Sequence, residues 1–279
     1  MKKYLKNLFD ADNPAFVAAV DELALWSAPF GMTLLDNIKL IPGIKALDIG
    51  CGTGFPLLEL ANRLDDKSRV FGIDPWGKAI DRVKEKISLY EITNVEALAA
   101  TAENIPFENN FFDLIVSNNG INNVQDLDKT LSECYRILKP GGQFAFTFNL
   151  PESLKEFYDV FESVLEELGL LREIQKMHGH IFDKRKPIDF MEKAAEKSGF
   201  KIKSIIKNRF QYKFTDGNTF FSYPMIRFHF LPSWKEILPP QRVEEIFHLI
   251  ETKLDEIASK EKELVMTVPY VCFDCLKNL

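Results

Sequence analysis

Two kinds of apolar pattern alternate along the first half of the chain. Lys45–Ile49, Val70–Ile73, Phe111–Val116 and Gln143–Phe148 are short, nearly continuous apolar runs, as expected of strands covered on both faces. Val95–Leu98 is a fifth, weaker run. Between them lie segments with apolar residues three and four apart, Phe55–Leu64 and Leu127–Leu138 among them, which predict helices. Strand and helix in alternation predict a parallel sheet with helices on both faces. Upstream, Phe16–Val20 and Leu23-Ala24-Leu25-Trp26 predict helices, with Pro29-Phe30-Gly31 as a break between two of them. Lys139-Pro140-Gly141-Gly142 predicts the stop of the helix before the fifth strand.

Downstream, Glu152–Leu168 carries Leu154, Phe157, Phe161, Val164, Leu165 and Leu168 at helical spacing and ends at Gly169. A loop with His178-Gly179-His180 is expected next, then a helix over Pro187–Ser198. Phe200–Phe214 alternates apolar and basic residues, which predicts a half-exposed strand. An aromatic block follows, Phe220-Phe221-Ser222-Tyr223 through Phe228-His229-Phe230-Leu231, then a helix over Pro240–Lys260 and a closing strand over Leu264–Phe273.

The chemistry concentrates where the first strand ends. Asp48-Ile49-Gly50-Cys51-Gly52-Thr53-Gly54 leads straight into the Phe55–Leu64 segment. Glycines permit a sharp turn and a positive φ, and let a ligand touch bare backbone. The helix start offers unpaired N–H groups. A dinucleotide fingerprint would read G-x-G-x-x-G; here Phe55 stands where the third glycine would fall. Asp74 closes the second strand about 20 residues on, the position of a ribose-binding acid. The residues alone predict an adenosine-containing ligand on a doubly wound sheet.

LDIGCGTG, GID, AENIPF, FFDLIVSNN and LKPGG, in this order between Lys45 and Leu150, resemble the class I S-adenosylmethionine-dependent methyltransferases, in particular those acting on small molecules. The resemblance implies a Rossmann-like α/β fold with a seven-stranded, mainly parallel, doubly wound sheet whose last strand is antiparallel. It implies S-adenosyl-L-methionine as cofactor and S-adenosyl-L-homocysteine as product. Gly50, Cys51, Gly52, Thr53 and Gly54 would pass under the methionine part, and Asp48 would orient the loop and reach the ammonium through water. Asp74 would bind the ribose hydroxyls, with Pro75 and Trp76 beside the adenine and Ala102 and Glu103 at its edge. Asn118 and Asn119 would stand near the sulfonium and the methyl acceptor. Each has a structural rival: Asp48 and the two asparagines as turn formers, Trp76 as core, Glu103 as a cap.

Three segments are expected: a helical N-terminal lid over residues 1–41, the cofactor-binding core over 42–150, and 151–279 completing the sheet. The last holds a helical substrate cap inserted before the final strand, about 215–262. Trp26, Phe30 and Tyr223 are lid or substrate candidates. The 46% hydrophobic and 27% charged composition is that of a globular protein. A net charge of −6 and a pI near 5.4 argue against a nucleic-acid partner, which calls for a basic face. No apolar run reaches membrane-spanning length, and the four cysteines form no disulfide framework. The expectation is a cytoplasmic enzyme, monomer or homodimer, with a small-molecule substrate and no metal. His178, His180 and His229 are the weak candidates for a general base. The alternatives are a nicotinamide-dependent oxidoreductase and a non-catalytic S-adenosylmethionine-binding protein.

Overall fold

In the computed structural model, which describes residues 2–6, 10–23 and 25–278, seven strands form one sheet in the order β3-β2-β1-β4-β5-β7-β6. They are β1 Lys45–Ile49, β2 Arg69–Asp74, β3 Val95–Ala99, β4 Phe112–Asn118, β5 Leu138–Asn149, β6 Phe200–Phe214 and β7 Leu264–Lys277. The first five run parallel and β7 pairs antiparallel with β5, Phe146 opposite Phe273. The switch in strand order between β1 and β4 puts both strand ends beside the glycine loop, the place where open α/β sheets bind ligands.

The chain divides into two units. A sheet unit comprises residues 11–149, 186–208 and 270–279; a helical unit comprises 1–10, 150–185 and 209–269. In the sheet unit, α3 (Leu57–Arg63) buries Leu57, Leu58, Leu60 and Ala61. α4 (Gly77–Leu89) buries Ala79, Ile80 and Val83. Both contribute to a core shared with Ala46, Val70, Leu114 and Val116. α5 (Leu127–Ile137) starts at Asp126, whose carboxylate accepts from the Lys129 N–H at 2.9 Å. α8 (Ile188–Lys197) runs into Gly199, whose φ of +98° and position 2.9 Å from the Tyr135 ring, for a Cβ placed there, leave no room for a side chain. Buried Asp274 is held by Gln143 Nε2 at 2.7 Å and Lys203 Nζ at 3.0 Å. β6 lies at the sheet's edge, where its lysines and arginine suit an unpaired rim.

Three sequence expectations are corrected here. Pro29-Phe30-Gly31 is no break: all three lie inside α2 (Ser27–Asp36), because a proline in a first turn surrenders an N–H that has no partner there. The break falls earlier, in turns at Leu25 and Trp26 after α1 (Pro14–Asp21); Ala24 lies outside the described residues. Leu138 already pairs with Phe112, and the register jumps so that Leu114 faces Gln143. Pro140-Gly141-Gly142 therefore bulges out of a continuous β5, with Gly141 at φ +76°. Finally, the His178-Gly179-His180 loop is the middle of α7 (Leu171–Lys184).

The helical unit holds α6 (Lys155–Glu167), α7, α9 (Gly217–Ser222), a π-helical turn at Ile226–Phe230, α10 (Leu231–Ile237) and α11 (Val243–Glu261). The first part of the aromatic block, Phe220 and Phe221, is packed core, whereas Tyr223, Phe228 and Phe230 are half-buried and His229 is exposed. Phe157, Phe161, Phe220, Phe221 and Trp234 have no exposed surface. The Phe157 and Trp234 rings stack with centroids 4.0 Å apart, and Trp234 Nε1 donates to Tyr158 Oη at 2.8 Å. Tyr4 stacks on Phe221 and donates to Glu251 Oε2 at 2.5 Å.

Candidate cofactor site

The site grows out of β1. Gly50, Gly52 and Gly54 all have positive φ, +74°, +52° and +111°. Gly50 must also be bare, since a Cβ there would come within 3.0 Å of Gly120 Cα in the turn after β4. A Cβ on Gly52 would meet nothing within 4 Å, so this glycine faces open space. The Gly50 and Cys51 N–H groups both donate to Ile73 O, at 2.8 and 3.1 Å, tying the loop to β2. Cys51 differs from the expectation: its side chain is 1% exposed and points into the core against Gly72. Neither its thiol nor its N–H is left for a ligand. Burial pushes that thiol well up.

Asp74 is set by the backbone. Its Oδ2 accepts from Gly52 N–H at 2.9 Å and its Oδ1 from Trp76 N–H at 2.8 Å. Each oxygen keeps a second lone pair, enough to receive two adjacent hydroxyls. Burial raises its pKa, and these two N–H groups oppose that rise. Pro75 is exposed and Trp76 half-buried, the latter donating from Nε1 to Ala11 O at 3.0 Å.

Asp48 is wholly enclosed, and neither carboxylate oxygen has a hydrogen-bond partner. Burial, and then the charge of Asp74, push its pKa up to about 8; the Leu57 N–H opposes this weakly, without reaching hydrogen-bonding geometry. A buried carboxyl with no partner costs free energy unless a ligand supplies one.

The remaining predicted residues divide into those facing the loop and those already occupied. Ala102 is buried. Glu103 accepts from the N–H groups of Gln125 at 2.7 Å and Asp126 at 3.3 Å. Burial works against its charge, but the surrounding N–H groups outweigh it and hold the carboxyl below its ordinary range. It fastens the turn before α5, the capping alternative. Asn118 is satisfied on both sides, Nδ2 donating to Ser27 O at 3.1 Å and Oδ1 accepting from Thr147 Oγ1 at 3.0 Å. Asn119 takes the left-handed turn, φ +55°, and its Oδ1 accepts from Asn122 Nδ2 and Asn149 N–H. Trp26 and Phe30 pack together, and the fully buried Phe30 lies 4.6 Å from the Tyr270 ring.

Several supports were not singled out by the sequence. Gly31 on α2 leaves room for the Phe55 ring, which would lie 2.2 Å from any Cβ there. Tyr270 Oη donates to Pro29 O at 2.9 Å. Asp21 on α1 accepts from Arg82 Nε at 3.1 Å and from Lys86, which also donates to Thr53 O at 2.7 Å. These contacts join residues distant in sequence and leave no periodic trace. Only the small residue at Gly31 hints at one of them.

Tyr223 and the three histidines belong to the helical unit. Tyr223 packs on Tyr212 and Phe214. His178 is exposed, with Nε2 3.0 Å from Glu162 Oε1. His180 is half-buried, and burial first and the Arg185 charge second push its pKa down to about 4, too low for efficient proton abstraction near neutrality. His229 is exposed. Among the described residues no cluster of His, Cys, Asp and Glu could hold a metal ion, and no helix is long and apolar enough to cross a membrane.

Comparison with known proteins agrees with this geometry. Residues 47–146 match the family model of a methyltransferase domain. Demethylmenaquinone methyltransferase of Bacillus mycoides (strain KBAB4) is 35% identical over 102 residues, 37% of this chain and 43% of that protein; the chain thus matches less than half the length of such relatives. Among solved structures, phosphoethanolamine N-methyltransferase 2 of Haemonchus contortus, in complex with S-adenosyl-L-methionine, superposes with a TM-score of 0.59 at 19% identity, covering 96% of this chain and 58% of that one. A SAM-dependent methyltransferase of Aquifex aeolicus gives 0.52 at 21% identity over 71% of this chain and 93% of that one.

The residues present fit the family's cofactor on their own evidence. The unpartnered Asp48 carboxyl suits a cationic group, the remaining lone pairs of Asp74 suit a pair of ribose hydroxyls, and a Cβ on Gly52 would meet nothing within 4 Å. Over residues 47–146 the chain is thus similar to a methyltransferase domain, and its glycine loop and strand order agree with that likeness.

Proposed function

We propose that this chain transfers the methyl group of S-adenosyl-L-methionine to a small, partly apolar acceptor. The observation that carries the reading is the pair of acids flanking an open glycine loop: Asp48 buried without a partner and Asp74 held by Gly52 and Trp76. The cofactor supplies an electrophilic methyl on a sulfonium. The protein's part is to fix it and exclude water. Asp48 orients the loop and reaches the ammonium through water, Asp74 meets the ribose, and the turn of Asn118 and Asn119, locked through Thr147 and Ser27, fixes the rim where an acceptor would approach. Asn149, 5% exposed with its Oδ1 taken by Asn122, offers its Nδ2 as a donor to a polar atom of the acceptor. A small acceptor is supported by the relatives' name, demethylmenaquinone methyltransferase, and by the −6 net charge, which disfavours nucleic acid. We place the protein in the cytoplasm as a monomer or homodimer.

Calorimetric titration with S-adenosylhomocysteine and, in parallel, NADH tests the cofactor. Binding of the first alone is expected, weakened by about 1–3 kcal/mol in Asp74→Ala, the cost of removing hydrogen bonds to a charged group. Binding of NADH alone would restore the oxidoreductase reading, which the Phe55–Gly31 packing disfavours. Methylated product from a panel of quinones, phenols and amines then tests turnover; cofactor binding with no product from any of them would favour a non-catalytic binder.

A further inference from the structure

In the helical unit, Arg185 caps the C-terminus of α7 in an extended conformation and is only 2% exposed. Its Nη1 is completely enclosed and has no hydrogen-bond partner. The guanidinium lies over two aromatic rings, Tyr158 at 5.1 Å and Phe230 at 5.7 Å. Tyr158 cannot turn its hydroxyl into a better partner without losing the 2.8 Å bond from Trp234 Nε1.

Tyr212 Oη of this unit is also enclosed without a hydrogen-bond partner, but two other charged groups there are answered. Glu251 has Tyr4 and Lys2, and Arg227, one of whose nitrogens is likewise enclosed, donates from Nη2 to Lys3 O at 3.1 Å. Among the described residues Arg185 has ring faces and no anion. Burial first, then the Arg185 and Lys184 charges, hold the nearby His180 in its neutral form, against a weaker opposing pull from Asp183. Cation–π contact offsets part of the desolvation of a guanidinium, but a buried arginine ordinarily faces a carboxylate or phosphate across its planar fork.

We infer that Arg185 is an oxyanion-binding residue, and that the helical unit takes an amphipathic organic anion whose carboxylate or phosphate meets the guanidinium and whose apolar body lies against Tyr158 and Phe230. The inference stands on the helical unit alone and does not depend on methyl transfer.

The test uses the full-length protein with Arg185→Met and Arg185→Lys. Inorganic phosphate and benzoate are titrated separately by calorimetry at constant ionic strength, with chloride as the balancing salt. The wild type is expected to bind at least one of them saturably, Arg185→Met about tenfold or more weakly, and Arg185→Lys at an intermediate level, since an ammonium keeps the charge but loses the fork. Preference for phosphate would identify the ligand as a phosphate ester, preference for benzoate as a carboxylic acid. Without anion, Arg185→Met should unfold at or above the wild-type temperature, because methionine fills similar space without an uncompensated charge. Equal anion binding by wild type and Arg185→Met would overturn the inference. So would unfolding of both variants well below the wild type, which would make Arg185 a purely structural cation.

Discussion

Replacing Asp48 by asparagine isolates the ionisation of one enclosed carboxyl. Asp48 has no exposed surface and no hydrogen-bond partner, and its pKa rises from the ordinary 3.8 to about 8. A folded-state pKa above the unfolded one means that the native state favours the proton. Its relative stability is whole below about pH 4 and is lost as pH climbs toward 8, at about 1.4 kcal/mol per unit. At pH 7 the accumulated loss is of the order of 4 kcal/mol. Asparagine has nearly the same shape and no charge to suppress, so Asp48→Asn should match the wild type near pH 4, pull ahead with that slope, and level off above 8. Urea unfolding of both proteins from pH 4.5 to 8.5 reads the difference directly, since every other titrating group is common to both. A bound ammonium would favour the ionised carboxylate. Wild-type affinity for S-adenosylhomocysteine should therefore rise with pH up to about 8, while that of the variant stays nearly flat. Parallel stability curves for the two proteins would refute the reasoning, showing that Asp48 finds a partner or water in the folded state.

Other expectations are local. Gly50→Ala should destabilise more than Gly52→Ala in thermal melts: both incur roughly 1–2 kcal/mol for a left-handed residue, but only Gly50 also meets backbone, at Gly120 Cα 3.0 Å away. Equal losses would contradict the close approach. Tyr270→Phe should cost about 1 kcal/mol by chemical denaturation and speed amide exchange in α2, because its hydroxyl holds Pro29 O and Thr33 Oγ1. In the helical unit, Trp234→Ala should cost about 3–5 kcal/mol, since the indole is fully buried, stacks on Phe157 and satisfies Tyr158; a loss under 1 kcal/mol would mean a loosely packed core.

What could be read in advance follows from the range of the forces involved. β1, β2 and β6 were legible because strand burial writes itself into neighbouring residues, as a continuous apolar run or an alternation. The loop at Gly50, Gly52 and Gly54 was legible because positive φ demands a particular residue at each position. α7 was hidden by Gly179, whose helix-breaking tendency outweighed the Ile174, Met177 and Ile181 spacing until tertiary packing decided the matter. The start of β5 was hidden because Pro140-Gly141-Gly142 ends a helix and makes a bulge with the same residues. Glu103 shows the limit at the site itself: an acid at a strand exit looks the same whether it awaits a ligand or holds the Gln125 and Asp126 amides. Contacts such as Asp21 with Lys86, or Arg185 with Tyr158 and Phe230, depend on distant chain segments and had no local signature.

The chain passes between the two units at 10/11, 149/150, 185/186, 208/209 and 269/270, and β6 and β7 each begin in one unit and end in the other. Neither unit is therefore a contiguous piece of gene. A fragment trimmed to the methyltransferase match, residues 47–146, would lose β7 and leave the remainder of β5, with Phe144 and Phe146, as a bare apolar edge inviting intermolecular pairing. Recombination that exchanges helical units between relatives must splice at several points at once, and a single proteolytic nick frees neither half. In such a chain the part bearing the glycine loop and the part bearing Arg185 are inherited, expressed and degraded together.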